Sequence, residues 1–279
     1  MLTLNCRGRL LAATQPLVMG IINITPDSFF SGSRMVAADE VLRKAEQMIQ
    51  DGADILDMGA QSSRPDSDLV SAEEELSRLI DKIDAVHRRF PDAFISVDTF
   101  YGKVATEAVA AGACIVNDIS AGNIDETLIP AVVALQVPYV LMHMPGTPKT
   151  MQAHTGYEDV TKQVLDFLIE KKAIIEKQGI RDIIIDPGFG FGKTVAQNFE
   201  MLRHLQAFKI MGAPVLAGLS RKSTITQTLG ISPAEALNGT TVLNTIALIH
   251  GAGILRVHDV KEAKEAVTLV QAASLAGKS

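Results

Sequence analysis

The chain has no tryptophan, three tyrosines and only two cysteines among its 279 residues. Cys6 and Cys114 each stand alone in different parts of the chain, which suggests neither a disulfide framework nor a cysteine zinc site. Basic residues are outnumbered, 26 Lys and Arg against 32 Asp and Glu, for a formal charge of −6. That balance argues against nucleic acid as the main partner. No run approaches the roughly 20 apolar residues needed to span a bilayer. The N-terminus lacks the basic flank and long apolar core of a signal peptide. A cytoplasmic protein with no membrane partner is expected. No low-complexity linker or compositional shift marks a boundary, so residues 1–279 are read as a single domain.

What is present favours alternating helices and strands. Hydrophobic residues make up 47% of the chain, enough for a large core, while aromatics are only 5%. Plentiful Ala, Ile, Val and Gly suit α/β packing better than a β-sandwich. The most informative stretch is Ile183-Ile184-Ile185-Asp186-Pro187-Gly188-Phe189-Gly190-Phe191-Gly192-Lys193. The Ile run reads as a strand buried on both faces, as in a parallel sheet. Pro187 cannot donate to a ladder, so the strand should stop at Asp186. A P-loop would need Gly where Pro187 stands, and strict alternation of Gly188, Gly190 and Gly192 is not a dinucleotide fingerprint. A carboxylate rimmed by two Phe faces suits a planar ligand with adjacent N–H donors, such as an aminopyrimidine ring.

The rest of the chain repeats the pattern. Residues 2–16 predict a short hairpin outside the main fold. Strands are expected at 17–23, 54–59, 94–99, 114–118, 138–143, 183–186, 214–219 and 253–259. Helices are expected at 37–51, 71–90, 101–111, 125–135, 157–178, 196–210 and 233–250, with a last one closing the chain. Ser71 and Glu74 are spaced for a capping box. Eight strand–helix repeats in this length point to a (β/α)8 TIM barrel, with a doubly wound open sheet as the alternative.

A barrel brings strand ends together, so Asn23, Asp57, Asp98, Asn117, Asp186, Lys222, Arg256 and His258 would face one rim. Any one of them alone is as well explained by a helix cap, a solvated charge or a packed histidine. Eight at seven strand ends weaken that explanation jointly. Asp98, Asn117 and Asp186 offer acceptors and an amide to a pterin's amino group and ring N–H. Lys222 can donate to a ring carbonyl or nitrogen. Asn23, Arg64, Arg256 and His258 are mostly donors, suited to an anion such as pyrophosphate. His143 and His154 lack the paired spacing of a histidine metal site.

These residues carry a resemblance to the dihydropteroate synthases, the folate-pathway enzymes blocked by sulfonamides. The matching pieces run from Met19-Gly20-Ile21-Ile22-Asn23-Ile24-Thr25-Pro26-Asp27-Ser28-Phe29 through Ser62-Ser63-Arg64-Pro65, Ser96-Val97-Asp98-Thr99, Asn117-Asp118 and Met142-His143-Met144. They continue through residues 186–193 and Ser220-Arg221-Lys222-Ser223 to Arg256-Val257-His258-Asp259. The resemblance implies a pterin site of Asp98, Asn117, Met142, Asp186 and Lys222. It implies pyrophosphate held by Asn23, Arg64, Arg256 and His258, with Asn23 also ligating Mg2+. Phe29, Ser63, Arg64, Pro65, Phe191, Lys222 and Ser223 would shape the p-aminobenzoate site. Asp98, Lys222, Arg256 and His258 would carry the chemistry. The implied reaction joins 6-hydroxymethyl-7,8-dihydropterin pyrophosphate to p-aminobenzoate, with sulfonamides as inhibitors. A homodimer through the late helices is expected, since 233–250 and 260–275 carry apolar positions around much of their circumference.

The chain departs from the family in one loop. Where the family usually reads Gly-Gly-Glu-Ser-Thr-Arg-Pro, this chain has Gly59-Ala60-Gln61-Ser62-Ser63-Arg64-Pro65. Two other readings share the barrel: a methyltetrahydrofolate–corrinoid methyltransferase domain, and a non-catalytic pterin-binding barrel. The first should lack the pyrophosphate set and the Ser-Arg-Lys turn. The second is disfavoured by the intact Asn23, Lys222, Arg256 and His258.

Overall fold

The computed structural model describes residues 2–24, 34–61 and 69–276. Strands β1 (Leu2–Cys6) and β2 (Arg9–Ala13) pair as an antiparallel hairpin. The remaining strands are β3 (Leu17–Asn23), β4 (Ile55–Gly59), β5 (Phe94–Asp98), β6 (Ile115–Asp118), β7 (Tyr139–Met142), β8 (Ile183–Asp186), β9 (Leu216–Ala217) and β10 (Ile254–Val257). Their order is β8-β7-β6-β5-β4-β3-β10-β9, with every pair parallel. A parallel bridge between Ile185 and Val215 closes the ring, and the Ile185 N–H donates to the Pro214 carbonyl at 2.9 Å. The fold is a (β/α)8 barrel.

The helices are α1 (Arg34–Gln50), α2 (Ala72–Arg89), α3 (Gly102–Ala110), α4 (Leu128–Leu135), α5 (Val160–Gln178), α6 (Val195–Arg203), α7 (Ser223–Leu229), α8 (Leu237–Ile249) and α9 (Val260–Leu275). No described helix is long and apolar enough to cross a membrane. The sequence reading missed α7 entirely. Its residues, Ser-Thr-Ile-Thr-Gln-Thr-Leu, are too few and too rich in β-branched Thr to show a helical stripe. Helix α4 starts later than expected, because Asp125 takes the Gly102 N–H (2.8 Å) and the Thr127 N–H (2.9 Å) in a turn of its own. The capping box at α2 is half made. Ser71 Oγ accepts from the Glu74 N–H at 3.2 Å, but the Glu74 carboxylate turns to Arg78 Nε at 2.9 Å.

Period-two alternation explains the layers. Val18 and Ile22, Leu56 and Met58, Ile95 and Val97, and Tyr139 and Leu141 face outward into one core shared with the helices. The alternate positions Met19, Ile55, Ile115, Val140, Ile184, Leu216 and Ile254 fill the lumen's lower end. The hairpin adds Leu4, Cys6 and Leu11 to that cluster and so closes the barrel floor. It is pinned there by Arg9, whose guanidinium donates to the Pro91 and Ala93 carbonyls at 2.8 and 3.0 Å. One step further along the same inward series come Asp57, Asn117, Met142, Asp186 and Arg256, at the opposite end of the lumen.

Candidate active site

The rim is organised around a guanidinium. Arg256 Nε donates to Asp57 Oδ2 at 2.6 Å, and its Nη2 donates to Asp98 Oδ2 at 2.6 Å. Asp57 Oδ2 also accepts from Asn117 Nδ2 at 3.0 Å. Strand register makes this possible, since Gly59 pairs with Asp98 and Asp98 with Asn117. Charge-assisted bonds of this kind are about twice as strong as neutral ones. Removing one partner of a buried ion pair costs about 3–5 kcal/mol, because the other charge is stranded. Burial works against Arg256's charge, but Asp57 and Asp98 outweigh it and keep the guanidinium protonated. Burial pushes the Asp98 carboxyl up to about 7, although Arg256 pulls it back.

The opposite wall is the glycine-rich turn after β8. Asp186 Oδ1 accepts from the Gly188 N–H at 2.7 Å. Burial raises the Asp186 carboxyl above its ordinary range, against the pull of Lys222. Lys222 Nζ donates to the Phe189 carbonyl at 2.6 Å and lies 4.7 Å from the centre of the Phe191 ring. Burial lowers the Lys222 ammonium to about 8, with Asp186 opposing the fall. Phe191, Met142, Met144, Met151, Phe100 and Ile119 form an apolar cluster beside these groups. Acidic acceptors, one amide, one ammonium and a Met/Phe surface therefore converge at one mouth, which suits a flat heterocycle bearing adjacent N–H donors.

Adjacent residues of one motif do different work. In Ser220-Arg221-Lys222-Ser223, Ser220 Oγ lies 3.0 Å from His258 Nδ1. Arg221 clamps Asp259 through two bonds of 2.9 and 2.7 Å and reaches the Pro233 carbonyl at 2.8 Å. Only Lys222 faces the site, while Ser223 is exposed at the start of α7. Asn117 and Asp118 also part company. Asp118 points to the helix side, where it accepts from Tyr139 Oη and the N–H groups of Ser120 and Gly122, each at 2.6 Å.

Of the residues proposed from sequence, the structure gathers Asp98, Asn117, Met142, Asp186, Phe191, Lys222 and Arg256 at one end of the barrel. Asn23 is half-buried at the end of β3, and His258 is exposed just after β10. Phe29, Ser63, Arg64 and Pro65 lie outside the described residues. Two groups had no role assigned from sequence: Asp57, placed on the rim only, and Lys193. Asp57, 1% exposed, is the shared acceptor of Arg256 and Asn117. Its strand-end position was visible, but its partner 199 residues away was not. Lys193, 4% exposed, is buried beneath the turn.

The connection after β4 is tied at its neck. Gln61 Oε1 accepts from the Val70 N–H at 3.1 Å, and Gln61 Nε2 donates to the Val70 carbonyl at 2.9 Å and to Glu75 Oε2 at 2.6 Å. Tyr101 Oη donates to the same Val70 carbonyl at 3.0 Å. Glu75 is fully buried, and burial pushes its carboxyl up to about 7.

Comparison with known proteins agrees with this geometry. Residues 19–258 match the family described as pterin binding enzyme. Dihydropteroate synthase of Escherichia coli (strain K12) is 42% identical over 268 residues, covering 95% of this chain and 94% of the relative. The Yersinia pestis dihydropteroate synthase solved with a sulfonamide drug superposes with a TM-score of 0.92 at 39% identity, covering 99% of this chain and 100% of that one. The Xanthomonas albilineans enzyme solved with 7,8-dihydropteroate gives 0.88 at 40% identity and 98% coverage of both. Each likeness spans the whole barrel and both walls of its mouth, and by it the chain belongs to the dihydropteroate synthase family of pterin-binding enzymes.

Proposed function

We propose that the rim joins 6-hydroxymethyl-7,8-dihydropterin pyrophosphate to p-aminobenzoate, giving 7,8-dihydropteroate and pyrophosphate. The observation that carries this is the meeting of Asp98, Asn117, Asp186, Lys222 and Arg256 at one barrel mouth. Asp186 and Asn117 read the pterin's amino and ring N–H groups, Lys222 its carbonyl edge, and Met142 packs on the ring. The bond between the exocyclic carbon and the pyrophosphate oxygen breaks, and the amine nitrogen forms its bond to that carbon. The displaced amine proton leaves to solvent. The electron-rich dihydropterin shares the positive charge that develops, and the Asp98 carboxylate stabilises it. No strong base is needed, because a neutral aromatic amine is already nucleophilic. Arg256 and His258 take the leaving group's charge. Phe191 and Ser223, with Phe29, Ser63, Arg64 and Pro65, bound the p-aminobenzoate side.

The donor set bears on Mg2+. Among the described residues no group of three or more His, Cys, Asp or Glu side chains gathers to hold a metal. Mg2+ commonly takes one or two protein oxygens and fills its octahedron with phosphate and water. The Asn23 carboxamide oxygen fits that role, and a bound ion would offset charge on the leaving pyrophosphate.

The late helices support a homodimer. Val242 and Ile249 on α8 and Leu269 and Leu275 on α9 are large apolar side chains left exposed. Light scattering at micromolar concentration should give twice the chain mass, and a monomer would sink that reading. A cytoplasmic location belongs to the same reading. The decisive experiment is a coupled assay of pyrophosphate release. Release that depends on p-aminobenzoate and is suppressed by a sulfonamide is expected. No release with both substrates present would leave a non-catalytic barrel, and methyl transfer from methyltetrahydrofolate would favour the corrinoid reading.

A further inference from the structure

Lys193 is a buried ammonium that the reaction, as assigned above, does not use. Its Nζ lies 2.9 Å from the Gly188 carbonyl, 2.9 Å from the Phe191 carbonyl and 3.0 Å from His143 Nδ1, with the His143 carbonyl at 3.4 Å. An ammonium has three N–H donors, and three near acceptors surround it. The acceptors come from two segments, His143 just past β7 and the turn after β8. That turn leaves its carbonyls unclaimed by sheet or helix, because Gly188, Gly190 and Gly192 hold φ of 72°, 82° and 60°. A side chain at Gly188 would collide with the His143 carbonyl, so the turn sits directly on the residue that follows β7. Burial lowers the Lys193 ammonium to about 7, and Asp186 resists that fall. Burial also holds the His143 imidazole neutral, down to about 3, with Lys193 adding to the effect. A neutral ring leaves Nδ1 free to accept.

We propose that Lys193 is the positioning residue of the pterin site, fixing the turn on which both Asp186 and Lys222 are set. Lys193 holds the Gly188 carbonyl, and the N–H of the same residue donates to Asp186 Oδ1 at 2.7 Å. One residue on, the Phe189 carbonyl accepts from Lys222 Nζ at 2.6 Å, and the Phe191 ring lies under the same ammonium. Releasing the turn therefore moves the acceptor and the donor that read the heterocycle, while Arg256, Asp57 and Asp98 keep their own bonds. Lys193 also supplies positive charge. The charged groups facing Asp186 are Lys222 from the loop after β9, Arg256 from β10 and Lys193 from its own turn.

The inference rests on Asp186 and Lys222 holding the pterin, and the test separates the two ideas. Lys193→Met keeps the length and apolar stem but removes the donors and the charge. The expected result is a rise of at least about tenfold in KM for the dihydropterin pyrophosphate, with KM for p-aminobenzoate within about twofold. A role in stability alone would lower the melting temperature and leave both KM values in place, and that outcome overturns the proposal. If Lys193→Met does not fold, His143→Leu removes one acceptor and should raise the pterin KM about threefold with the same selectivity. Unchanged pterin KM in that variant also overturns it. A wild-type protein that releases no pyrophosphate would instead refute the functional reading.

Discussion

The two ends of the barrel lumen are lined by the same strands and share almost no chemistry. At the floor, Met19, Ile55, Ile115, Val140, Ile184, Leu216 and Ile254 pack with the hairpin's Leu4 and Cys6 into a dry plug. Two residues further along, a rise of about 7 Å, the inward positions are Asp57, Asn117, Met142, Asp186 and Arg256. The floor is apolar and satisfied. The mouth holds carboxylates and cations, and one of its atoms, Asp57 Oδ1, is buried without a hydrogen-bond partner. An unmade bond of that kind costs about 1–3 kcal/mol. The lesson is that period-two alternation lets one set of strands carry stability at one end and strained polar chemistry at the other.

The comparison is broken if either end behaves like its opposite. Leu4 is 1% exposed and belongs to the hairpin that closes the floor. Leu4→Ala should cost about 2–5 kcal/mol of stability by transfer and cavity effects. Below its unfolding transition the variant should keep the parent's kcat/KM. Denaturant titration and steady-state kinetics on the same preparation check both halves, and lost activity at full stability would dissolve the distinction. At the mouth the opposite is expected. Asp186→Asn turns an acceptor into a donor facing the pterin's own N–H groups, a loss of about 1–3 kcal/mol in binding. The fold should tolerate it, since the volumes match and burial already disfavours this carboxylate. Calorimetry giving an unchanged pterin affinity would refute the role of Asp186.

Legibility from sequence followed the same division. Strand ends are local signals, so Asp98, Asn117, Asp186 and Arg256 could be placed on one rim from alternation and the count of repeats. The eight strands were found for the same reason, although β9 shrank to Leu216–Ala217 between a proline that cannot donate and a glycine. What stayed hidden depended on contacts distant in the chain. Asp57 looked like any strand-end acid until Arg256 reached it across the barrel. Lys193 looked like the end of a glycine motif until its acceptor on His143, just past β7, was in view. Arg221 stood in the sequence only as a neighbour of Lys222 in a shared motif, and it is a clamp on Asp259. Helix α7 had no stripe to read because tertiary packing, not propensity, makes it.

A smaller effect sharpens the electrostatic half of the contrast. Burial holds Asp98 up at about 7 and Lys222 down at about 8. The chemistry assigned here needs Asp98 as the anion and Lys222 as the cation. Activity should therefore fall as pH drops below about 7 and again as it rises above about 8. Each limb should approach about tenfold per pH unit, or about 1.4 kcal/mol. Lys222→Arg should carry the alkaline limb upward, because a guanidinium stays protonated. A profile flat from pH 6 to 9 would be inconsistent with both assignments. Leu4 packs in the floor cluster, which contains neither Asp98 nor Lys222, so Leu4→Ala should leave the limbs where they are.

The last prediction tests the place where polar chemistry spreads beyond the lumen, at the neck of the connection after β4. Gln61 stands where the family usually has Glu, and its Nε2 donates to both the Val70 carbonyl and Glu75 Oε2. Glu75 is already a reluctant anion, raised from 4.5 to about 7 chiefly by burial, with Gln61 among the groups that hold it down. A carboxyl raised in the folded state binds its proton there while the unfolded chain has released it. Its contribution to stability is present below the unfolded value and is lost as pH rises through the folded one. The parent should lose some stability this way between about pH 4.5 and 7. In Gln61→Glu the donor is replaced by a second carboxyl against the first, so both are pushed upward and share a proton at low pH. The variant should nearly match the parent at pH 5 and fall behind as pH rises toward 8, by up to about 1.4 kcal/mol per unit for each extra proton retained. Chemical denaturation of both proteins at several pH values reads this directly. A difference that stays constant from pH 5 to 8 would mean that Gln61 and Glu75 do not share one buried environment, and that the neck is held by Tyr101 and the Val70 backbone alone.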